Sequence, residues 1–207
     1  MGSQWTKDKV YIKAMREGYR SRAAYKLKEI ISKHPVLWES DNVIDLGCAP
    51  GSWLQVLRES VSGDIIGIDL NYFPPIEGVT TIIGSFTDPV VIANVREKMP
   101  VVNVIVSDAS PKLSGHKSYD QAVAIGLNED ALSFAIEVLK PSGNMIMKSF
   151  EGEDFPFIFK KMQKHFFSVK AYKTKASRKG STEIYIIAKK FKGKEFKLDD
   201  EEQEEEW

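Results

Sequence analysis

VIDLGCAPGSW, residues 43–53, is the stretch whose reading decides the fold. Val43 to Leu46 form a short apolar run of the kind that makes a buried strand, and a helix is expected from Trp53 onward. Between them lies Gly47-Cys48-Ala49-Pro50-Gly51, whose glycines let the backbone turn tightly and approach a ligand closely. The spacing is not the G-x-G-x-x-G of a pyrophosphate cradle. Asp45, two residues before the first glycine, predicts a carboxylate at the mouth of the strand. That arrangement suits a ligand with a cationic amine and would repel a pyrophosphate.

Outward from this turn the pattern alternates strand and helix. Strands are expected at 43–46, 65–70, 80–83, 102–107, 144–148, 168–173 and 183–189, most of them short, apolar and β-branched, as in strands covered on both faces. Helices are expected at 53–60, 89–98, 119–139 and 154–165, with Pro141-Ser142-Gly143 stopping the third. Upstream, Ser21 is placed to cap a helix through RAAYKLKEIISKH, with Ala23, Ala24, Leu27, Ile30 and Ile31 on one face. Only KTKASRKGST separates the last two strands, too little chain for a parallel crossover, so they should pair antiparallel. The fold class is therefore α/β: a doubly wound, mostly parallel seven-stranded sheet with an antiparallel last strand.

With 207 residues, 43% apolar and 11% aromatic, the chain has material for one real core and is not globally disordered. No apolar run approaches the roughly 18–20 residues of a membrane helix, and the N-terminus lacks the apolar stretch of a secretory signal. One cysteine, Cys48, and three scattered histidines leave no disulfide and no ligand-spaced metal cluster. A soluble, cytoplasmic, metal-free monomer with no membrane partner is the expectation. The net charge of zero hides strong segregation: +6 over residues 1–34, −10 over 35–159, +11 over 160–197 and −7 over 198–207. Two basic ends on one face would bind a polyanion. Residues 1–197 read as one domain that opens with a basic helical segment, 1–34, and 198–207 as a disordered acidic tail.

Further candidates sit at the carboxyl ends of the expected strands, which form the active edge of open α/β sheets. Asp69 ends the second strand, where such folds hold ribose hydroxyls. Ser85 and Phe86 end the third and could frame an adenine. An amine site, a ribose site and an adenine slot together describe S-adenosyl-L-methionine better than a nicotinamide cofactor. Asp108 ends the fourth strand. Lys148 emerges from the apolar fifth, so it needs a carboxylate partner, a polar cavity or a lowered pKa, and Asp108 is a candidate partner. In the last strand Glu183, Tyr185 and Ile187 share one side.

GYRSRAAYKLKEI, DLGCAPGSW, SDASPKLSG, KSFEGE and EIYIIA, in this order between Tyr19 and Lys190, resemble the FtsJ/RrmJ family of RNA ribose 2′-O-methyltransferases. The resemblance implies a methyltransferase domain that uses S-adenosyl-L-methionine and a catalytic tetrad of Lys26, Asp108, Lys148 and Glu183. It also implies cofactor contacts from Gly51, Trp53, Asp69 and Asp108, with the loop from Gly47 to Pro50 beside the methionine part. Where relatives often have an acid for the adenine amine, this chain has Ser85. RNA phosphates would meet Lys7, Lys9, Lys13, Arg16, Arg20 and Arg22, together with Lys173, Lys175, Arg178 and Lys179. Trp5, Tyr11, Tyr19 and Tyr25 are available for stacking or packing.

The resemblance implies 2′-O-methylation of a ribose, a uridine's first of all, in large-subunit ribosomal RNA. The same chemistry on tRNA anticodon loops is the second reading. A non-catalytic RNA-binding assembly factor is the third, and a nicotinamide-dependent oxidoreductase the last. The missing G-x-G-x-x-G and the antiparallel ending weigh against that last class.

Overall fold

The computed structural model describes residues 9–111, 115, 117–178 and 180–195. Lys7, Trp5, Lys179 and the acidic stretch 198–207 lie outside the described residues. In chain order the elements are α1 (Lys9–Arg16), α2 (Ala24–Lys33), β1 (Val43–Leu46), α3 (Ser52–Ser60), β2 (Ile65–Asp69) and β3 (Thr80–Ile83). They continue with α4 (Pro89–Lys98), β4 (Val102–Ser107), α5 (Lys117–Val138), β5 (Leu139–Phe150), α6 (Phe155–His165), β6 (Phe166–Tyr172) and β7 (Glu183–Phe191).

The strands make one seven-stranded sheet in the order β3-β2-β1-β4-β5-β7-β6. β1 to β5 pair in parallel, whereas β7 runs antiparallel to both β5 and β6. The last strand in sequence is thus not an edge: it inserts between β5 and β6. Sequence spacing required only that β6 and β7 be antiparallel neighbours.

Both faces of the sheet are covered, because alternate residues of its central strands bury on opposite sides. Ile44, Leu46, Ile105, Met145 and Met147 pack against the side of α4, α5 and α6. Val43, Val104, Val106, Ile146 and Tyr185 pack on the other side with Leu27 and Ile30 of α2 and Leu54 and Leu57 of α3. That second side carries the chemistry described below.

Two local expectations change. β5 begins at Leu139, directly after α5, and its pairing with β4 shifts register between Val102 and Val104. The Pro141-Ser142-Gly143 turn is absorbed into this irregular start, with Ser142 at φ 64°. α2 begins at Ala24, with Ala23 before it; Ser21 caps the turn that leads into the helix, its hydroxyl accepting from the Ala23 amide at 3.2 Å. The Ser21 hydroxyl also meets Ser52 Oγ at 2.7 Å, joining the N-terminal segment to the start of α3. Among the described residues no helix is long and apolar enough to cross a membrane.

Candidate active site

Four strand ends and the start of β7 converge at one edge of the sheet. Parallel register sets Leu46 beside Ile68 and Ser107, and Ser107 beside Met147. The residues that follow, Gly47, Asp69, Asp108 and Lys148, therefore come to the same edge. Because β7 runs the other way, its first residue, Glu183, arrives there too, opposite Phe150.

A cavity of about 370 Å³ opens at this edge. Of the residues expected to hold a cofactor, Gly47, Asp69, Ser85, Phe86 and Asp108 line it. Leu127 and Asp130 of α5 line it as well. Neither was singled out from the sequence, although with Phe134 they follow one helical face and Phe134 packs edge-on against Phe86 at 6.3 Å. Gly47 has φ 71°, and a Cβ there would come within 2.7 Å of the Ala109 Cα, so glycine is what lets the loop approach β4 so closely. Asp69 accepts hydrogen bonds from the amides of Ala49 (2.9 Å) and Asn71 (2.8 Å) and from the Asn71 side chain (3.0 Å). A carboxylate has about four acceptor positions, so roughly one remains for a ligand hydroxyl.

Asp45, Pro50, Gly51 and Trp53 do not line the cavity. Asp45 lies within β1, paired across to Gly67 and Val106, and is fully buried. The mouth of the strand is two residues further on, at Gly47. Among the described residues neither Asp45 oxygen has a hydrogen-bond partner. Burial first, then the Asp108 and Asp69 charges, hold its pKa well above the usual carboxylate range. The Trp53 indole is buried and donates to the Ala23 carbonyl at 2.9 Å, which ties α3 to the turn before α2. Gly51, at φ 102°, is buried under Arg20 and Phe73. Cys48 is buried beside them, and burial pushes its thiol pKa up, which makes it a packing residue.

Beside the cavity stand two ion pairs. Lys148 Nζ lies 3.3 Å from Asp108 Oδ1 and donates to the Asp108 carbonyl at 2.6 Å. Lys26 Nζ lies 2.7 Å from Glu183 Oε2. The structure thus brings together all four tetrad candidates, from α2, β4, β5 and β7. Tyr185, fully buried, joins the pairs: its hydroxyl is 2.9 Å from Asp108 Oδ1 and 3.1 Å from Glu183 Oε1. Burial and then both carboxylates keep this phenol protonated, so its single hydrogen serves one acceptor at a time. Ser177 also donates to Glu183 Oε1, at 2.8 Å. For Glu183 burial acts upward, but Lys26, Ser177 and the Lys148 charge outweigh it and hold its pKa below the ordinary value. Asn128 of α5 donates to the Lys148 carbonyl at 2.7 Å and fixes the strand that carries the lysine. Tyr185 was legible as sharing a side with Glu183; the roles of Ser177 and Asn128 had no local signal.

The basic residues separate into two groups. Lys9, Lys13 and Arg16 are exposed on α1, and Lys175 and Arg178 have their side on the β6–β7 loop. That loop is held by Glu29 of α2, which accepts from the amides of Lys175 (3.0 Å) and Ala176 (3.1 Å) and from the Tyr172 hydroxyl (2.6 Å). Arg22 donates to the Ala176 carbonyl at 2.6 Å and braces the same loop. Lys173 pairs with Glu151 at 2.6 Å. Arg20 departs most from its expected role. Its guanidinium donates to the carbonyls of Pro50 (2.9 Å), Pro74 (2.5 Å) and Pro75 (2.9 Å) and lies over Phe73. It is a clamp between two loops. Tyr19 is a core residue stacked edge-on against Tyr25, so packing is its use.

The FtsJ-like methyltransferase model matches residues 19–191. Curated relatives include "Ribosomal RNA large subunit methyltransferase E" of Methanoculleus marisnigri, 65% identical over 194 residues, with 93% of this chain and 96% of that protein covered. The protein of the same name from Methanospirillum hungatei is 65% identical over 193 residues, covering 93% of each chain. Among solved structures, a ribosomal RNA methyltransferase from Plasmodium falciparum superposes with a TM-score of 0.77 at 30% identity, over 84% of this chain and 100% of that one.

Proposed function

The chain belongs to the FtsJ-like methyltransferase family and is an RNA methyltransferase; on that premise we propose that it methylates a ribose 2′-hydroxyl, that of a uridine, in large-subunit ribosomal RNA, with S-adenosyl-L-methionine as donor. The observation that carries this reading is the joined pair of ion pairs, Lys148–Asp108 and Lys26–Glu183, set against the cavity. The ribosomal substrate is favoured by the names of relatives that this chain matches along nearly their whole length.

The residues present fit the donor. Asp69 keeps an acceptor position for a ribose hydroxyl, Ser85 and Phe86 line the part of the cavity that would take an adenine, and Gly47 lets the loop that would border the methionine end pack close to Ala109. Asp45 stands behind that loop as a buried acid without a partner among the described residues, able to answer polar or cationic groups introduced above it. Bound there, S-adenosyl-L-methionine supplies an activated methyl group on a sulfonium.

Lys148 is the centre of the protein's contribution. An ammonium has three donors; one goes to the Asp108 carbonyl while Asp108 Oδ1 pairs with the charge from 3.3 Å, which leaves donor capacity for a ribose 2′-oxygen. Held that way, the hydroxyl is made more acidic by the fixed positive charge, which stabilises the negative character the oxygen gains as its proton passes to solvent water, and a lone pair stays free for reaction. Asp108 holds the lysine and borders the donor cavity at the same time. Lys26 and Glu183 anchor the nucleotide on the other side, and Tyr185 keeps the two halves in register. The basic loop around Lys175 and the exposed cations of α1 hold the RNA backbone near this edge.

The test is methyl transfer from labelled S-adenosyl-L-methionine to large-subunit particles, bare ribosomal RNA and tRNA in parallel, followed by digestion to nucleosides. A 2′-O-methyluridine from ribosomal material is expected, with turnover abolished in Lys148→Ala while donor binding persists. Label confined to tRNA would replace the substrate, and substantial turnover in Lys148→Ala would remove the role given to that lysine.

A further inference from the structure

A second surface runs along α6 to the opposite end of the sheet. β7 carries Glu183 at the catalytic edge and Phe191 at the other end, eight steps away or about 27 Å at strand spacing. There Phe191 pairs with Phe166, where α6 runs into β6. The two stretches that meet at this point, 155–167 and 189–194, contain seven lysines and no acidic residue.

α6 buries Ile158 and Met162 and packs Phe155 and Phe159 against the core, so its inner face is complete without Phe157. Phe157 is 56% exposed, and Phe167, just past the helix, is 67% exposed. A lysine lies over each ring: Lys161 Nζ at 5.8 Å from the Phe157 centroid and Lys192 Nζ at 5.6 Å from that of Phe167. Lys160 and Lys164 are exposed on the same helix. Two acids of α5 answer part of this charge, Glu129 to Lys161 at 2.5 Å and Glu137 to Lys194 at 2.7 Å. Lys192 also donates to the Gln163 carbonyl at 3.3 Å, a bond that leaves its charge intact. His165, on the same helix, has its pKa held down by burial first and then by the charges of Lys161, Lys192 and Lys164.

Exposed aromatic rings among lysines match single-stranded nucleic acid, whose bases stack on the rings while its phosphates meet the cations. Protein interfaces are depleted in lysine, so the charge favours RNA over a protein partner. We propose that the α6–β6 surface formed by Phe157, Lys160, Lys164, Phe167 and Lys192 is a second RNA-binding site, which holds unpaired RNA along α6 from near the catalytic edge toward the far end of β7, about 27 Å from Glu183. The proposal rests on the RNA methyltransferase reading, and it gives the enzyme grip on a substrate larger than its target nucleotide.

The experiment measures binding of a fluorescent single-stranded RNA of about 40 nucleotides, longer than one site needs, over a range of salt concentrations. It compares wild-type protein with Phe157→Ala/Phe167→Ala and with Lys160→Gln/Lys164→Gln. Affinity should fall about tenfold in each, and the lysine pair should make the salt slope shallower by about 1.4. Ultraviolet crosslinking should place RNA on the peptide 155–167 as well as beside the tetrad. Unchanged melting temperature and donor binding identify the loss as local. Wild-type affinity in both variants, or crosslinks only beside the tetrad, would overturn the proposal alone. Variants that bind bare RNA normally but bind large-subunit particles poorly would assign the surface to a ribosomal protein, also overturning it. A wild-type protein that binds no RNA would overturn the functional reading and this surface with it.

Discussion

Arg20 offers the sharpest separation of two readings. As a cation in a basic segment it reads as a phosphate contact, yet its guanidinium is spent on three carbonyls, those of Pro50, Pro74 and Pro75. It thereby ties the ligand-side loop 47–51 to the loop after β2. Arg20→Ala removes three hydrogen bonds at a solvent-accessible position, worth about 0.5–1 kcal/mol each, and the stacking over Phe73, about 0.5 kcal/mol. Water recovers part of this, so a net loss of about 2 kcal/mol is expected, a fall of about 4–8 °C in melting temperature for a domain of this size. The functional signature is a KM for the methyl donor raised about tenfold, since loosening a loop that positions the ligand costs about that much, with the salt dependence of RNA binding unchanged. Arg20→Lys keeps the charge but cannot fork to separate carbonyls, so it should resemble alanine. Calorimetry, initial rates against donor concentration and a salt titration of RNA affinity decide it. If Arg20→Lys behaves as wild type, and Arg20→Ala leaves the donor KM alone while making the salt slope shallower by about 0.7–0.9, Arg20 is a phosphate contact and the clamp is wrong.

Three other outcomes are expected. Gly47→Ala would press a Cβ to 2.7 Å from the Ala109 backbone at a φ of 71°; a cost of about 1–3 kcal/mol and loss of donor binding by calorimetric titration should follow. Glu29→Ala frees the amides of Lys175 and Ala176, and should weaken RNA binding severalfold with donor affinity intact; equal loss of both would show a general unfolding instead. Glu183 titrates below its ordinary 4.5 in the folded chain, so the unfolded chain takes up the proton first. Its ion pair therefore stabilises the fold above about pH 4.5 and that contribution fades as pH falls through the lowered value; the gap in melting temperature between wild type and Glu183→Gln should close over that range, and a gap that stays constant to lower pH would refute the assignment.

The sheet was legible because its central strands are apolar on both sides, and such runs have few alternatives in a chain with clear turns. β1, β3, β4 and α4 fall where the sequence set them. Strand order was not legible at β7, since insertion between β5 and β6 depends on pairing partners far apart in sequence. Lys26, Asp108, Lys148 and Glu183 were singled out through motif resemblance together with the rule that strand ends carry chemistry, and the structure brings them together. What escaped were residues whose role depends on a distant partner: Asn128 on the Lys148 carbonyl, Ser177 on Glu183, Ser21 on Ser52.

The misplaced residues have a common cause. Asp45, Trp53 and Arg20 each lie within a few residues of the cavity wall in sequence or space, and none lines it. Strand alternation and sheet pairing put Asp45 into the core, and the indole of Trp53 turns back to a carbonyl before α2. Trp53 and Arg20 hold the loop and the N-terminal segment against each other, so Lys26 arrives at Glu183 from a helix anchored through Trp53, Ser21 and Arg20. The Lys26–Glu183 pair therefore depends on the same bracing that shapes the loop beside the cavity. Damage to that brace should lower donor affinity and the catalytic rate together, whereas loss of Lys148 should lower the rate alone.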